Sequence, residues 1–256
     1  MEKIYTIPVN DAYTTECDCP ICVLKKKSEE DYINYYLGPS LMEPDTRMIT
    51  NRTGFCPDHM GMLNIREANR LGLGLMIHTH LIDIRQDVTN TLSNCIPNKR
   101  SLLKGKSNEY KSNLVSLANR IDGRVSLCPI CDKIDYSMER YIDVILWLFV
   151  HDPDFKQKFA NAKSHCLPHI AMLLRGAASK LSQNEAVDFL TILSSSHKKS
   201  LDELIADAEW FTLKFDYRNT DKPWGNSKNA IQRSMRFLSS DRSDFDEQAK
   251  KRIDRS

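Results

Sequence analysis

Apolar positions along the chain recur at helical spacing, and no stretch alternates apolar and polar residues long enough to build a sheet. Residues 22–37 read as a charged helix with an apolar stripe, stopped by Gly38-Pro39. The stretch 38–54 holds two prolines and two glycines and is expected to be largely loop. Residues 57–95 read as one long helical run bent near Gly72 and Gly74. Further on, 131–150, 154–163, 168–180 and 183–216 carry helical patterns, with a short extended piece at Arg124–Leu127. The polar segment 97–108, PNKRSLLKGKSN, reads as a linker. Residues 239–256, mixing acidic and basic side chains, read as an exposed helix or a frayed tail. The fold class expected is all-α, mainly helical with short extended pieces only.

The same pattern occurs twice. An offset of 109 residues carries Cys19-Pro20-Ile21-Cys22 onto Cys128-Pro129-Ile130-Cys131, and it carries Glu30, Tyr32, Ile33, Pro44 and Asp45 onto Glu139, Tyr141, Ile142, Pro153 and Asp154. With one further residue, Cys56-Pro57-Asp58-His59 falls on Cys166-Leu167-Pro168-His169, and Met60, Leu63 and Leu71 fall on Ile170, Leu173 and Leu181. Apolar residues thus return where a shared core needs them. The period is too long for a solenoid repeat. It implies two duplicated halves: a first metal-binding repeat at 1–107, a second at 108–218, and a C-terminal strap and charged tail at 219–256.

The spacing of the cysteines carries the chemistry. Two cysteines two residues apart turn both sulfurs toward one ion, and a CxxH pair completes a closed tetrahedral shell. The expected ligands are Cys19, Cys22, Cys56 and His59 in the first half, and Cys128, Cys131, Cys166 and His169 in the second. Each CxxH is expected to open a helix, whose positive end favours thiolate. Zn2+, two ions per chain, is the metal preferred for such a closed Cys3His set. The same thiolates suit an iron–sulfur cluster, which makes a redox protein the alternative. Eight cysteines could instead form four disulfides, but that suits small secreted scaffolds and leaves the repeated histidine unexplained. Cys17 matches Ser126 in the other half and Cys95 has no metal-spaced partner, so both read as ordinary thiols. His165 adjoins Cys166 as a competing ligand, but Phe55 at the matching place favours His169. His78 and His80 point to roughly opposite sides of a helix, as surface or core residues.

Residues 128–173, with CPIC, ERYIDVILWLFVHDPDFKQKF and HCLPHIAML, resemble a family of uncharacterised bacterial and archaeal proteins. Its pattern is CPxC, a helix ending near xDPxF, then FCxxH. The whole chain looks like a two-copy bacterial member, of the kind found in Firmicutes, and departs from the pattern at His165, where Phe55 keeps it in the first copy. The resemblance implies metal binding and a helical fold, and no activity.

Composition narrows the classes. With 36 basic and 34 acidic residues, no global field points to DNA or a membrane surface. Nucleic-acid binding, a third reading suggested by paired zinc modules, is disfavoured on that ground. The opening MEKIYTIPVNDAY has no basic flank followed by an apolar run, and the apolar run 142–150 is far too short to span a bilayer, so a cytoplasmic location is expected. There is no nucleophile elbow, phosphate loop, HExxH or dinucleotide fingerprint, and no residue set nominates itself as catalytic. The segment 214–228, KFDYRNTDKPWGNSK, has no counterpart in the first half. Its Tyr217, Arg218, Lys222 and Trp224 combine aromatic faces with cations, as binding surfaces for a protein or small molecule do. Alternatively Trp224 plugs the core beneath a strap. Lys228, Arg233 and Arg236 form a solvated basic face. The reading is a zinc-binding helical adaptor module.

Overall fold

The computed structural model describes residues 3–66, 68–96 and 109–240, and among them every regular element is a helix. In chain order these are α1 (Thr6–Thr14), α2 (Pro20–Leu37), α3 (Pro44–Thr53), α4 (Pro57–Ile65), α5 (Arg70–Asn94), α6 (Glu109–Ser126), α7 (Pro129–His151), α8 (Pro153–Asn161), α9 (Leu167–Lys180), α10 (Gln183–Leu213) and α11 (Ala230–Ser239). Short 3-10 turns join several of them. The all-α class expected from the spacing is what the chain adopts.

Proline does much of the punctuation. It stands in the first turn of α2, α3, α4, α7, α8 and α9, where its missing N–H costs nothing and its fixed φ suits the helix. This corrects the reading of 38–54 as loop, because Pro44 begins a ten-residue helix. That helix stops at Gly54, whose φ of 63° is open to glycine at little cost. Residues 57–95 are two helices, and the break comes before the glycines. Asn69 caps α5 by accepting from the Gly72 N–H, while its Nδ2 donates to the Leu37 carbonyl at 2.9 Å. Arg124–Leu127 is not extended: α6 runs through Ser126. The linker at 97–108 and the tail beyond Ser240 lie outside the described residues.

The chain forms two compact units, Met1–Ser28 with Tyr136–Ser256 (unit 1) and Glu29–Asp135 (unit 2), the borders falling inside α2 and α7. The expected boundaries at 107/108 and 218/219 follow the repeat and are not the boundaries of these units. In unit 1 an aromatic core joins Phe149, Phe155, Phe159 and Phe189, all nearly or fully buried, with Phe149 edge-on to Phe159 at 5.3 Å and to Phe189 at 5.1 Å. Gly176 lets α9 press against α7, since a Cβ there would lie 2.5 Å from Ile142 Cγ2. Unit 2 is built on Tyr36, Leu41, Leu63, Leu73 and Met76, with Phe55 edge-on to Tyr36 at 5.5 Å. There Arg47 reaches from α3 to the Leu75 carbonyl and the Thr79 hydroxyl of α5.

Candidate metal centres

Each CxxC begins a helix and each CxxH caps one. Pro20 and Pro129 open α2 and α7, and the next residues, Ile21 and Ile130, are fully buried, which anchors both knuckles in apolar surroundings. Cys56 and Cys166 are the N-cap residues of α4 and α9, so their sulfurs sit where unsatisfied N–H groups favour negative charge.

The structure gathers all eight candidate ligands into two clusters, paired across the repeats. Cys19 and Cys22 meet Cys166 and His169 in unit 1, whereas Cys128 and Cys131 meet Cys56 and His59 in unit 2. This corrects the expectation that each half closes its own site. Both pairings satisfy the same ligand count, and the helix packing selects the exchanged one.

The geometry is that of single-ion shells. In unit 1 the Cys22–Cys166 and Cys19–Cys166 sulfur separations are 3.7 and 3.9 Å, and His169 Nδ1 lies 3.0–3.5 Å from the three sulfurs. In unit 2, Cys56 and Cys131 sulfurs are 3.7 Å apart, and His59 Nδ1 lies 3.1–3.3 Å from Cys56, Cys128 and Cys131. Four ligands around one zinc, at roughly 2.3 Å for sulfur and 2.0–2.1 Å for nitrogen, give edges of about 3.8 Å between sulfurs and about 3.5 Å from sulfur to nitrogen. A disulfide would need about 2.05 Å. The observed sulfur–sulfur edges match the metal shell, and the sulfur–nitrogen edges equal it or run shorter.

Electrostatics favour a cation at each centre. Burial alone would lower the basicity of His59, but its contacts with Cys128 and Glu29 outweigh that and raise its pKa to about 10. Burial likewise pushes the Cys128 thiol up, yet His59 and backbone N–H groups bring it down to about 6. His169 is raised to about 9 against the effect of burial, chiefly by Cys166 and Cys22. Each histidine thus faces one thiol that is pushed down, Cys128 in unit 2 and Cys22 in unit 1. Burial and the neighbouring thiols push Cys131 up, and contacts with Cys166 and Cys22 push Cys19 up. A divalent ion would deprotonate the whole set.

Neighbouring groups differ between the two centres. His59 turns its other nitrogen, Nε2, to Glu29 Oε1 at 3.2 Å, the carboxylate–histidine arrangement that orients metal ligands. Sequence reasoning missed Glu29; its one signal was that the repeat places the apolar Met138 at the matching position. In unit 1, Ser240 at the end of α11 sets its hydroxyl 3.5 Å from Cys22 Sγ, while itself buried and at φ 71°. His165 does not join the cluster. It is buried against Phe159 and shares a 3.0 Å hydrogen bond with the Tyr13 hydroxyl. Cys17 and Cys95 stand outside both clusters, His80 contacts the Asn51 carbonyl at 2.7 Å, and His78 is exposed.

The four surface candidates lie together in the loop after α10. Lys214 is buried there, and its Nζ donates to the carbonyls of Asn219, Thr220 and Lys222 while lying 5.2 Å from the Trp224 ring. Trp224 rests on Phe211 and Phe215 and stays 37 % exposed, so it is not a core plug. Arg218 is held by Asp216, and Lys222 by Asn219 with its ammonium over Trp210. Phe215 and Tyr217 project outward, 76 % and 86 % exposed.

The model of one protein family, described as a Family of unknown function (DUF6062), matches residues 1–245. Among curated proteins, an uncharacterized 23.9 kDa protein in the xynA 3' region of Caldicellulosiruptor sp. (strain Rt8B.4) is 21 % identical over 201 residues, spanning 78 % of this chain and 84 % of that protein. No solved structure matches the chain. No described helix is long and apolar enough to cross a membrane.

Proposed function

The chain belongs to that family of unknown function, and from its own geometry we propose that it is a zinc-stabilised helical adaptor whose two Cys3His centres are structural. The observation that carries this reading is the closure of each shell. Three sulfurs and one imidazole nitrogen, all within 4.8 Å of one another, supply four ligands and leave no position for substrate. The same compactness favours one ion over an iron–sulfur cluster, which spreads its thiolates over several irons. The order α2–α3–α4 repeated as α7–α8–α9 supports descent from a duplicated unit. Eight free cysteines suit a reducing compartment such as the cytoplasm. The exposed Phe215 and Tyr217, beside Arg218, favour a protein or small-molecule partner at the loop after α10.

Elemental analysis of protein purified without added metal tests the proposal, the expected result being two zinc ions per chain. Folded protein free of zinc refutes it. Iron with visible absorbance after anaerobic purification would replace it by the cluster reading.

A further inference from the structure

The two centres share a ligand set but differ in cover. In unit 1 all four donors are buried, and the Ser240 hydroxyl lies against Cys22. In unit 2, Cys128 and His59 are buried, yet Cys56 and Cys131 are each partly open to solvent. Those two sulfurs stand 3.7 Å apart and belong to different helices, Cys56 capping α4 and Cys131 in the first turn of α7. Glu29 adds a second difference, because its carboxylate on His59 brings a further negative charge to the unit-2 shell. Oxidation of cysteine follows thiolate character and exposure. Both favour unit 2.

We infer that the unit-2 centre is a peroxide-reactive thiolate centre, with Cys56 and Cys131 as the reacting pair and the metal released as they join. The inference rests on the metal reading above and adds a reaction to one of its two sites. In the first step one of these partly open thiolates attacks the O–O bond of a hydroperoxide. A sulfur–oxygen bond forms, the O–O bond breaks, and hydroxide or alkoxide leaves with the electron pair. In the second step the other thiolate attacks that sulfur and expels hydroxide, making the disulfide. Two thiolates lose two electrons in all and the peroxide gains them. The sulfurs need to close by roughly 1.7 Å to reach disulfide length.

The choice of pair has a structural consequence. A Cys128–Cys131 disulfide would tie residues of one knuckle and leave α4 loose. A Cys56–Cys131 disulfide joins the same two helices that the metal had clamped, so unit 2 stays tied when the ion departs. Thiol reductant and fresh metal then restore the starting state. Glu29 is a positioning residue in this scheme, holding His59 toward the metal.

The test uses the full chain in a Cys17→Ser/Cys95→Ser background, so that the six ligand cysteines are the only thiols. Its metal content is measured first. The protein is then treated with hydrogen peroxide beside a chromophoric chelator, and disulfides are mapped by peptide mass. Expected is prompt loss of one of the two metal equivalents, a Cys56–Cys131 disulfide, retention of the second equivalent, and recovery with dithiothreitol and zinc. Glu29→Gln should weaken metal binding at one site by about 10–100-fold and leave the other site unchanged. Release of both equivalents at one rate, or a first disulfide at Cys19–Cys22 or Cys128–Cys131, overturns the inference and leaves the metal reading standing. Absence of metal from the untreated protein overturns both.

Discussion

The exchanged pairing of ligands can be decided by counting metal in double variants. Cys19 and Cys56 belong to one repeat but to different clusters, whereas Cys19 and Cys166 belong to different repeats and share a cluster, with sulfurs 3.9 Å apart. Each single serine variant should therefore bind one ion. Cys19→Ser/Cys166→Ser should still bind one, and Cys19→Ser/Cys56→Ser should bind none. Stability should follow the same logic. Structural zinc contributes about 10–16 kcal/mol of apparent binding energy in small fingers, against roughly 5–15 kcal/mol for the whole stability of a typical domain. Losing one centre should thus cost several kcal/mol, softened by the apolar helices that still pack. The second substitution in a shared shell should add little, because the ion has already gone, while substitutions in separate shells should add nearly in full. Elemental analysis and urea melts of the five proteins supply the assay. If Cys19→Ser/Cys56→Ser kept one ion and Cys19→Ser/Cys166→Ser lost both, each repeat would close its own site and the exchanged arrangement would be wrong.

Three further outcomes are expected. Burial, helped by the charge on His169, lowers the His165 pKa to about 3, so the unfolded chain takes up the proton first and stability falls by up to about 1.4 kcal/mol per pH unit as pH drops below 6.5. His165→Phe should cost about 1–3 kcal/mol at pH 7.5, by leaving the Tyr13 hydroxyl without its partner, and should flatten that acid slope; equal slopes in chemical melts of both proteins would contradict the assignment. Gly54→Ala forces a Cβ to within 2.5 Å of His80 Nε2 at a φ of 63°, and should cost at least about 1–2 kcal/mol from the backbone alone; His80→Ala should relieve only the steric part, and an unchanged melting temperature for Gly54→Ala would refute the strain argument. Phe159→Ala empties a fully buried position in the unit-1 aromatic core and should cost about 3–5 kcal/mol, read as a lower denaturant midpoint, while Cys95→Ser should leave that midpoint unchanged.

The residues that come together were legible because a metal shell demands particular side chains at particular local spacings. Cys19 and Cys22, or Cys56 and His59, are each fixed by the geometry of one turn. Their partnership was not legible, because two identical CPIC knuckles and two caps of the same CxxH spacing can be joined in two ways without any change in local sequence. The helices of the second half showed through their long apolar patterns, as α7 and α10 do. The misreadings arose where proline was taken as a breaker and not as an opener, at Pro44, and where a cap lies upstream of the glycines that seemed to bend the helix, at Asn69. Glu29 escaped because a carboxylate in the Glu29-Glu30-Asp31 run of a charged helix looks solvated until a histidine from elsewhere is placed against it.

The exchanged pairing also nests one centre inside the other along the chain, which sets an order for a polypeptide made from its N-terminus. Cys56 waits 75 residues for Cys131, but Cys22 waits 144 for Cys166. At roughly 5–20 residues per second, the inner set is complete about 4–15 s after its first cysteine is made, and the outer set takes about 7–30 s. Ribosome-bound chains of increasing length should accordingly take up a first equivalent of metal once Cys131 has emerged, and a second only after His169. The earliest thiolates of the chain are therefore the last to be satisfied, and the newborn N-terminal segment is the part most in need of protection.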